Sequence, residues 1–286
     1  VSATAAGSAV EHLIVQGPGI GRPFVERLAR DAGAAALEEL DGGAYRLRAI
    51  GSRAGLAEAC AAAGFDAAFV PDTRRLDELR LAAFDMDSTL ITIECIDELA
   101  DLAGVRAEVA AITAAAMRGE LDYRQSLRRR VALLAGLDEV MLERVYDERL
   151  QLSPGAERLI ERLRARGVRT LLVSGGFTFF TERLQARLRI DWTCSSTLAI
   201  AQGRLTGEVT GEIVDAAVKA RALRERIAEL GLERHQVLAI GDGANDLAMM
   251  AEAGVSVAWR AKPVVRARAT HALDASGLDG VLNLYL

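Results

Sequence analysis

The chain has 286 residues, enough for one large domain or two modest ones with a core that needs no disulfides or structural metal. Hydrophobic residues make up 51% and charged residues 26%, an ordinary globular balance that excludes a disordered chain. Lys and Arg total 35 against 40 Asp and Glu, a net charge of −5 that argues against a nucleic-acid or membrane-surface binder and leaves small anionic ligands open.

The first eighty residues predict a small α/β unit. HLIVQ (12–16) is an apolar run stopped by Gly17-Pro18 and reads as a strand. Residues 22–32 carry Phe24, Val25, Leu28 and Ala29 at helical spacing. Segments 36–40 and 44–50 flank Asp41-Gly42-Gly43, a hairpin signal. A second helix over 53–63 closes at Gly64, and a strand over 65–70 stops at Pro71. The order βαββαβ is that of a ferredoxin-like domain, shared by small regulatory ACT-type domains. It leaves room for an amino-acid effector on this unit and for a homodimer; a docking or dimerisation module without a ligand fits the same order.

The charged stretch DTRRLDELR (72–80) predicts a linker helix. A strand over 81–84 then ends in DMDST (85–89). Residues 91–140, rich in Ala, Leu, Glu and Arg, predict several helices broken near Gly104, Gly119 and Gly136. A helix over 154–166 leads to the buried strand 170–173, which ends in Ser174-Gly175-Gly176. Further on come a helix over 179–188, strand runs in 191–211 around a Gly203 turn, and a helix over 215–230. The strand 236–240 ends in GDGAND (241–246), followed by a helix over 247–253 and a last strand over 255–258. Strands alternating with helices predict a mainly parallel sheet covered on both faces.

Ligands of open α/β sheets bind beyond the carboxyl ends of the strands, and three strand ends here are rich in chemistry. Asp85 and Asp87 are two apart and leave extended backbone on one side, a costly pair unless a cation or a proton lies between them. Asp242 and Asp246, from another strand end, can complete an oxygen site for a hard cation such as Mg²⁺. Ser174-Gly175-Gly176 offers a hydroxyl and backbone N–H groups at a helix start, which suits an anion. Lys219, on a mostly apolar helical face, can reach a phosphate. Taken singly, each reads equally as turn chemistry, a plain strand-to-helix turn or a solvated helix residue. Three scattered Cys (60, 95, 194) and three scattered His (12, 235, 271) show no zinc site, disulfide framework or His-based triad, which fits a reducing compartment. Residues 1–10 lack the pattern of a signal peptide, no run is long enough to span a membrane, and the missing initial Met suggests a trimmed or partial chain.

Four segments together, DMDSTLITIECIDELA (85–100), LLVSGGFTFF (171–180), GRLTGEVTGEIVDAAVK (203–219) and IGDGANDLAMM (240–250), resemble the phosphoserine phosphatase branch of the haloacid dehalogenase superfamily in order and spacing. The resemblance covers about residues 81–260. It implies an α/β Rossmannoid parallel sheet with a helical cap at about 94–150, in a catalytic domain over 76–286 that follows an ACT-like, ferredoxin-like domain over 1–75. It implies a cytoplasmic, Mg²⁺-dependent enzyme that hydrolyses O-phosphoserine, with Asp85 as nucleophile and Asp87 as acid and base. The implied metal ligands are Asp85, the Asp87 backbone carbonyl and Asp242, with Asp246 holding bound water. Lys219, Ser174 and Gly175 bind phosphate, and Asn245 positions it. Glu94 resembles the ammonium-binding Glu of the family and Arg130 its carboxylate-binding Arg, with Arg128 and Arg129 adjacent. Met117 and Tyr123 are expected to line the apolar side of the cap, where the family more often has Phe in place of Tyr123. A sensor or scaffold with a vestigial site is opposed by the intact Asp85, Asp87, Lys219 and Asp242.

Overall fold

Strands buried on both faces must be apolar throughout, and LAAF, TLLV and VLAI meet that condition. A computed structural model describes residues 10–286, so the reading of the N-terminus as free of a signal peptide falls almost wholly outside the described residues. The first unit contains β1 (Glu11–Gln16), α1 (Arg22–Asp31), β2 (Ala36–Leu40), β3 (Ala44–Arg48), α2 (Leu56–Ala62) and β4 (Asp66–Pro71). They form an antiparallel four-stranded sheet in the order β2-β3-β1-β4, the expected ferredoxin-like arrangement. Alternation along β1 explains its two faces: Leu13 and Val15 pack under α1 and α2, while Ile14 joins Ala68 and Val70 in the core of the rest of the chain.

The second sheet has seven strands in the order β11-β10-β9-β5-β6-β7-β8. Its strands are β5 (Leu81–Phe84), β6 (Arg169–Phe177), β7 (Trp192–Ala201), β8 (Arg204–Thr210), β9 (Val237–Gly241), β10 (Val255–Trp259) and β11 (His271–Leu273). All pairs are parallel except β7 with β8. Between β5 and β6 lie α3 (Cys95–Leu102), α4 (Arg106–Met117), α5 (Tyr123–Ala132), α6 (Val140–Arg144) and α7 (Ala156–Ala165). The breaks fall at Gly104, Gly119 and Gly136, each with a positive φ that a side chain would resist. The remaining helices are α8 (Thr178–Leu188), α9 (Ala216–Leu230), α10 (Leu247–Met250) and α11 (Pro263–Arg266). Leu81 and Ala83 face α9 and α10, while Ala82 and Phe84 face the opposite layer. No helix among the described residues is long and apolar enough to cross a membrane.

Several expectations need correction. The predicted linker helix over 72–80 is a turn followed by one 3-10 turn, Leu76–Glu78, because this segment pairs with the C-terminal residues. Leu76 N–H donates to Leu286 C=O at 3.2 Å, Leu286 N–H donates to Arg74 C=O at 2.9 Å, and Leu79 is buried. The helix predicted over 247–253 ends at Met250, and the short strand β11 was unforeseen. The N-terminal unit is docked on the second rather than merely tethered to it. The buried Asp66 carboxylate accepts bonds of 2.7–3.2 Å from the N–H groups of Asp274, Ala275 and Ser276 and from the Ser276 hydroxyl.

Candidate active site

The three chemistry-bearing strand ends belong to adjacent strands. β5 is central, with Phe84 opposite Leu172 of β6 on one side and Ile240 of β9 on the other. The chain therefore delivers Asp85, Ser174 and Asp242 to neighbouring strand ends, about 5 Å apart from strand to strand. A cavity of about 210 Å³ opens there, lined among others by Asp85, Asp87, Glu94, Tyr123, Arg130 and Asn245. Larger grooves of about 560 and 920 Å³ lie where the N-terminal unit meets the rest, and none of these residues lines them.

Lys219 forms the floor. Asp215 caps α9 by accepting the Val218 N–H at 3.0 Å, and the apolar face of Val218, Ala222 and Leu223 seats the helix on the sheet. One turn in, the Lys219 Nζ donates to Asp85 Oδ1 at 2.6 Å and to Asp246 Oδ1 at 2.7 Å, with the lysine only 1% exposed. Burial pulls the ammonium pKa down, but Asp246 and Asp85 together outweigh it, so the pKa is raised and the charge persists. The solvated reading of Lys219 is thereby excluded.

Asp87 is held at both oxygens: Oδ1 accepts the Cys95 N–H at 2.9 Å and Oδ2 accepts the Ser174 hydroxyl at 3.2 Å. Its pKa is still raised, because burial exceeds these bonds. Ser174, Gly175 and Gly176 lie inside β6 rather than at a helix start; α8 begins only at Thr178. The pairing of β6 with β7 shifts register between Ser174 and Phe177, so the two glycines bulge from the ladder beside the cavity. Gly176 N–H donates to Ser174 Oγ at 2.9 Å. Gly175 is required by Tyr123: a Cβ there would come within 1.9 Å of the Tyr123 hydroxyl oxygen. Burial pushes the Tyr123 phenol up to about 12, so it stays neutral.

At the mouth, Glu94 Oε1 accepts the Ser88 hydroxyl at 2.8 Å. Loss of water inside the cavity, then the Asp87 charge, push its carboxyl up to about 7 although the residue opens to solvent. Arg130 shares a face of α5 with Tyr123 and Leu127, at i, i+4 and i+7, and all three line the cavity. Arg128 and Arg129 are exposed and do not line it, so of the three arginines only Arg130 reaches the cavity. The Arg130 Nε is buried with no hydrogen-bond partner among the described residues. The end of helix α5 packs closely on Gly207 of β8, where a Cβ would meet Ala132 Cα at 3.3 Å.

Met117 is the expected site residue that the structure does not bring in. It is 70% exposed at the end of α4 and does not line the cavity. The reason is that α4 is Ala-rich on every side and buries only Val109, so no apolar stripe turns its last residue inward. Ile96, Leu127, Phe177, Gly243 and Lys262 line the cavity and were missed. The helical phase of Tyr123 and Arg130 could have found Leu127; following β10 to its end could have found Lys262.

Asp85, Asp242 and Asp246 each offer an oxygen within 4.8 Å of the others. Burial first, then the Asp246 charge, raise Asp85 well above the carboxylate range and push Asp242 up to about 6. An oxygen-only set under such mutual repulsion fits a hard divalent cation. Asp246 is fully buried, with Oδ1 held by Lys219 and Oδ2 accepting the Gly243 N–H at 3.0 Å. Asp85 and Asp242 bond the protein through one oxygen each, to Lys219 and to Thr89, and so suit direct ligation. A carboxyl whose folded pKa is raised favours folding below the ordinary carboxylate range and loses that contribution as pH rises through the folded value. Asp242 alone therefore implies a loss of up to about 3 kcal/mol between roughly pH 4 and 6 in the cation-free protein. The stabilisation given by a fixed concentration of Mg²⁺ should accordingly grow from pH 5 to pH 7.5 in thermal unfolding. A pH-independent stabilisation would place the cation elsewhere.

Such a site, at the carboxyl ends of a parallel sheet beneath a helical insertion, is that of a phosphoryl-transfer enzyme built on carboxylates. The haloacid dehalogenase-like hydrolase family matches residues 82–251, and the chain belongs to that family. The phosphoserine phosphatase of Albidiferax ferrireducens is 53% identical over 216 residues, covering 74% of this chain and 91% of that protein. The unliganded crystal structure of a probable phosphoserine phosphatase from Vibrio cholerae superposes with a TM-score of 0.83 at 40% identity, covering 96% of this chain and 86% of that one. A phospho-aspartyl intermediate analogue of a phosphoserine phosphatase superposes with a TM-score of 0.68 at 36% identity, covering 73% of this chain and 99% of that one.

Proposed function

We propose that this protein hydrolyses O-phospho-L-serine to L-serine and phosphate, the last step of serine biosynthesis, through an aspartyl-phosphate at Asp85. The observation that carries the substrate is the presence of Glu94 and Arg130 in one cavity with Asp85 and Asp87. An amino acid needs an anion for its ammonium and a planar cation for its carboxylate, and Arg130 has an unused donor to give.

One oxygen of the Asp85 carboxylate attacks phosphorus, and the bond from phosphorus to the seryl oxygen breaks. Asp87, whose burial raises its pKa and so favours the protonated form, protonates the departing oxygen. Asp87 then takes a proton from the water that attacks the aspartyl-phosphate, releasing phosphate and restoring Asp85. Lys219 favours the ionised form of Asp85 and orients it. Ser174 and Gly175 hold the phosphoryl oxygens from the β6 bulge, and Asn245 positions them from the β9 side. Asp85, Asp242 and the Asp87 carbonyl, with Asp246 behind them, would hold Mg²⁺, which would supply the positive charge that a phosphate dianion requires. Tyr123, Leu127 and Ile96 form the wall that excludes water.

This reading carries a division near residue 75, with a cap at about 94–150, and a cytoplasmic enzyme. An amino-acid effector on the N-terminal unit and a homodimer remain further proposals, checked by serine calorimetry on the whole chain and by sedimentation.

The test is phosphate release from a panel of phosphomonoesters with and without Mg²⁺. Phosphoserine should be turned over far better than phosphoethanolamine, which lacks the carboxylate. Arg130→Ala should raise KM for phosphoserine about 10- to 100-fold, the worth of a charged hydrogen-bonded contact, and leave phosphoethanolamine nearly unchanged. Equal losses on both substrates would remove Arg130 from the carboxylate subsite.

A further inference from the structure

A fourth strand end reaches the cavity. β10 lies beside β9, and the chain leaving it at Trp259 returns to the Asp242 loop, where Lys262 N–H donates to Asp242 C=O at 3.3 Å. Pro263 follows and disfavours helical backbone at Lys262, which is extended at φ −61°, ψ 150°. The Lys262 side chain lines the cavity with Asp85, Asp242, Gly243 and Asn245. Lys219 is fully committed between Asp85 and Asp246, and Arg130 stands on the cap helix. Lys262 has no carboxylate within 4.0 Å among the described residues. It is exposed, so its charge stays hydrated and its stem is free to swing.

An uncommitted ammonium beside a carboxylate site built for a cation works against that cation. It has a use only when an anion arrives. We propose that Lys262 is a phosphate-binding residue that contacts the phosphoryl oxygens of substrate and product from the Asp242 side while repelling the divalent cation. The proposal rests on the phosphatase reading and extends it. The two effects have opposite signs: Lys262 loosens the empty site's hold on metal and tightens the loaded site's hold on phosphate. A compact point charge on a flexible stem suits a group that must follow phosphate in and out, and its side chain is separate from the backbone bond that fixes the loop.

The experiment uses Lys262→Met and Lys262→Arg in the full chain at pH 8. Mg²⁺ binding to the substrate-free protein is measured by calorimetry, and inhibition by inorganic phosphate is measured at saturating Mg²⁺. Lys262→Met should bind Mg²⁺ about three- to tenfold more tightly and phosphate about tenfold more weakly, with KM changed more than kcat. Lys262→Arg should stay within about threefold of wild type in both, because it keeps the charge. If both constants weaken together in Lys262→Met, or neither moves by more than about twofold, the assignment is overturned. A wild-type protein that binds neither Mg²⁺ nor phosphate would overturn the phosphatase reading itself, and this inference with it.

Discussion

Asp85→Asn is expected to end turnover and leave the fold standing. The substitution keeps the shape of the side chain and removes the nucleophilic oxygen, so kcat should fall by at least about 10⁴ and no phosphoprotein should survive an acid quench. The effect on stability should have the opposite sense. Asp85 is 5% exposed, and burial and the Asp246 charge hold its pKa well above the ordinary range. Its ionised form is thus a burden on the cation-free fold, relieved only in part by Lys219. Without it, Lys219 still has Asp246 at 2.7 Å. The variant should therefore melt no lower than wild type at pH 8 without divalent cation, and Mg²⁺ should stabilise it less. An active enzyme that trades fold stability for a charged site behaves this way. Activity within tenfold of wild type would move the nucleophile elsewhere. A clear drop in melting temperature would mean that the Asp85–Lys219 pair is net stabilising.

The sequence makes this catalytic floor legible because its parts obey local rules. β5, the first part of β6 and β9 carry apolar runs that stop abruptly at acidic, Ser or Gly residues, and adjacent strands of a parallel sheet bring those positions to one cleft. Lys219 is legible through the apolar face that carries it. The cap is less so. Arg128, Arg129 and Arg130 point about 100° apart on a helix, and only the phase shared with Tyr123 and Leu127 picks out Arg130. Met117 has no such phase partner, since α4 is Ala-rich and buries only Val109, and its exposure depends on how α4 sits against α3 and α5. Segment 72–80 looks helical by composition but takes its conformation from the C-terminal residues more than two hundred positions away, which no local pattern records. β11 has three residues, too few to show a period, and Lys262 follows a strand whose end shows no acidic or glycine-rich signature.

Lys219→Met is expected to be the costliest single change for the fold as well as for the chemistry. The ammonium is 1% exposed, and both of its carboxylate partners are buried. Removing one side of a buried ion pair leaves the other uncompensated, which costs about 3–5 kcal/mol, whereas the volume change from Lys to Met is small. The cost should depend on pH. In the variant, Asp85 can escape the penalty only by taking up a proton, so the gap from wild type in urea unfolding should be largest at pH 8 and should shrink as the pH falls toward the ordinary carboxylate range. Mg²⁺ should recover part of the stability, since a divalent charge can replace the missing ammonium beside Asp85. It should not recover activity: kcat at saturating Mg²⁺ should stay about 10³-fold down, because no ammonium then orients Asp85 from the floor. Lys219→Arg should fare no better, since a planar guanidinium cannot enter a slot whose oxygens stand 2.6 and 2.7 Å from a single nitrogen. A stability loss that is the same at pH 5 and pH 8 would trace to packing alone and would remove charge compensation as the reason this lysine is buried.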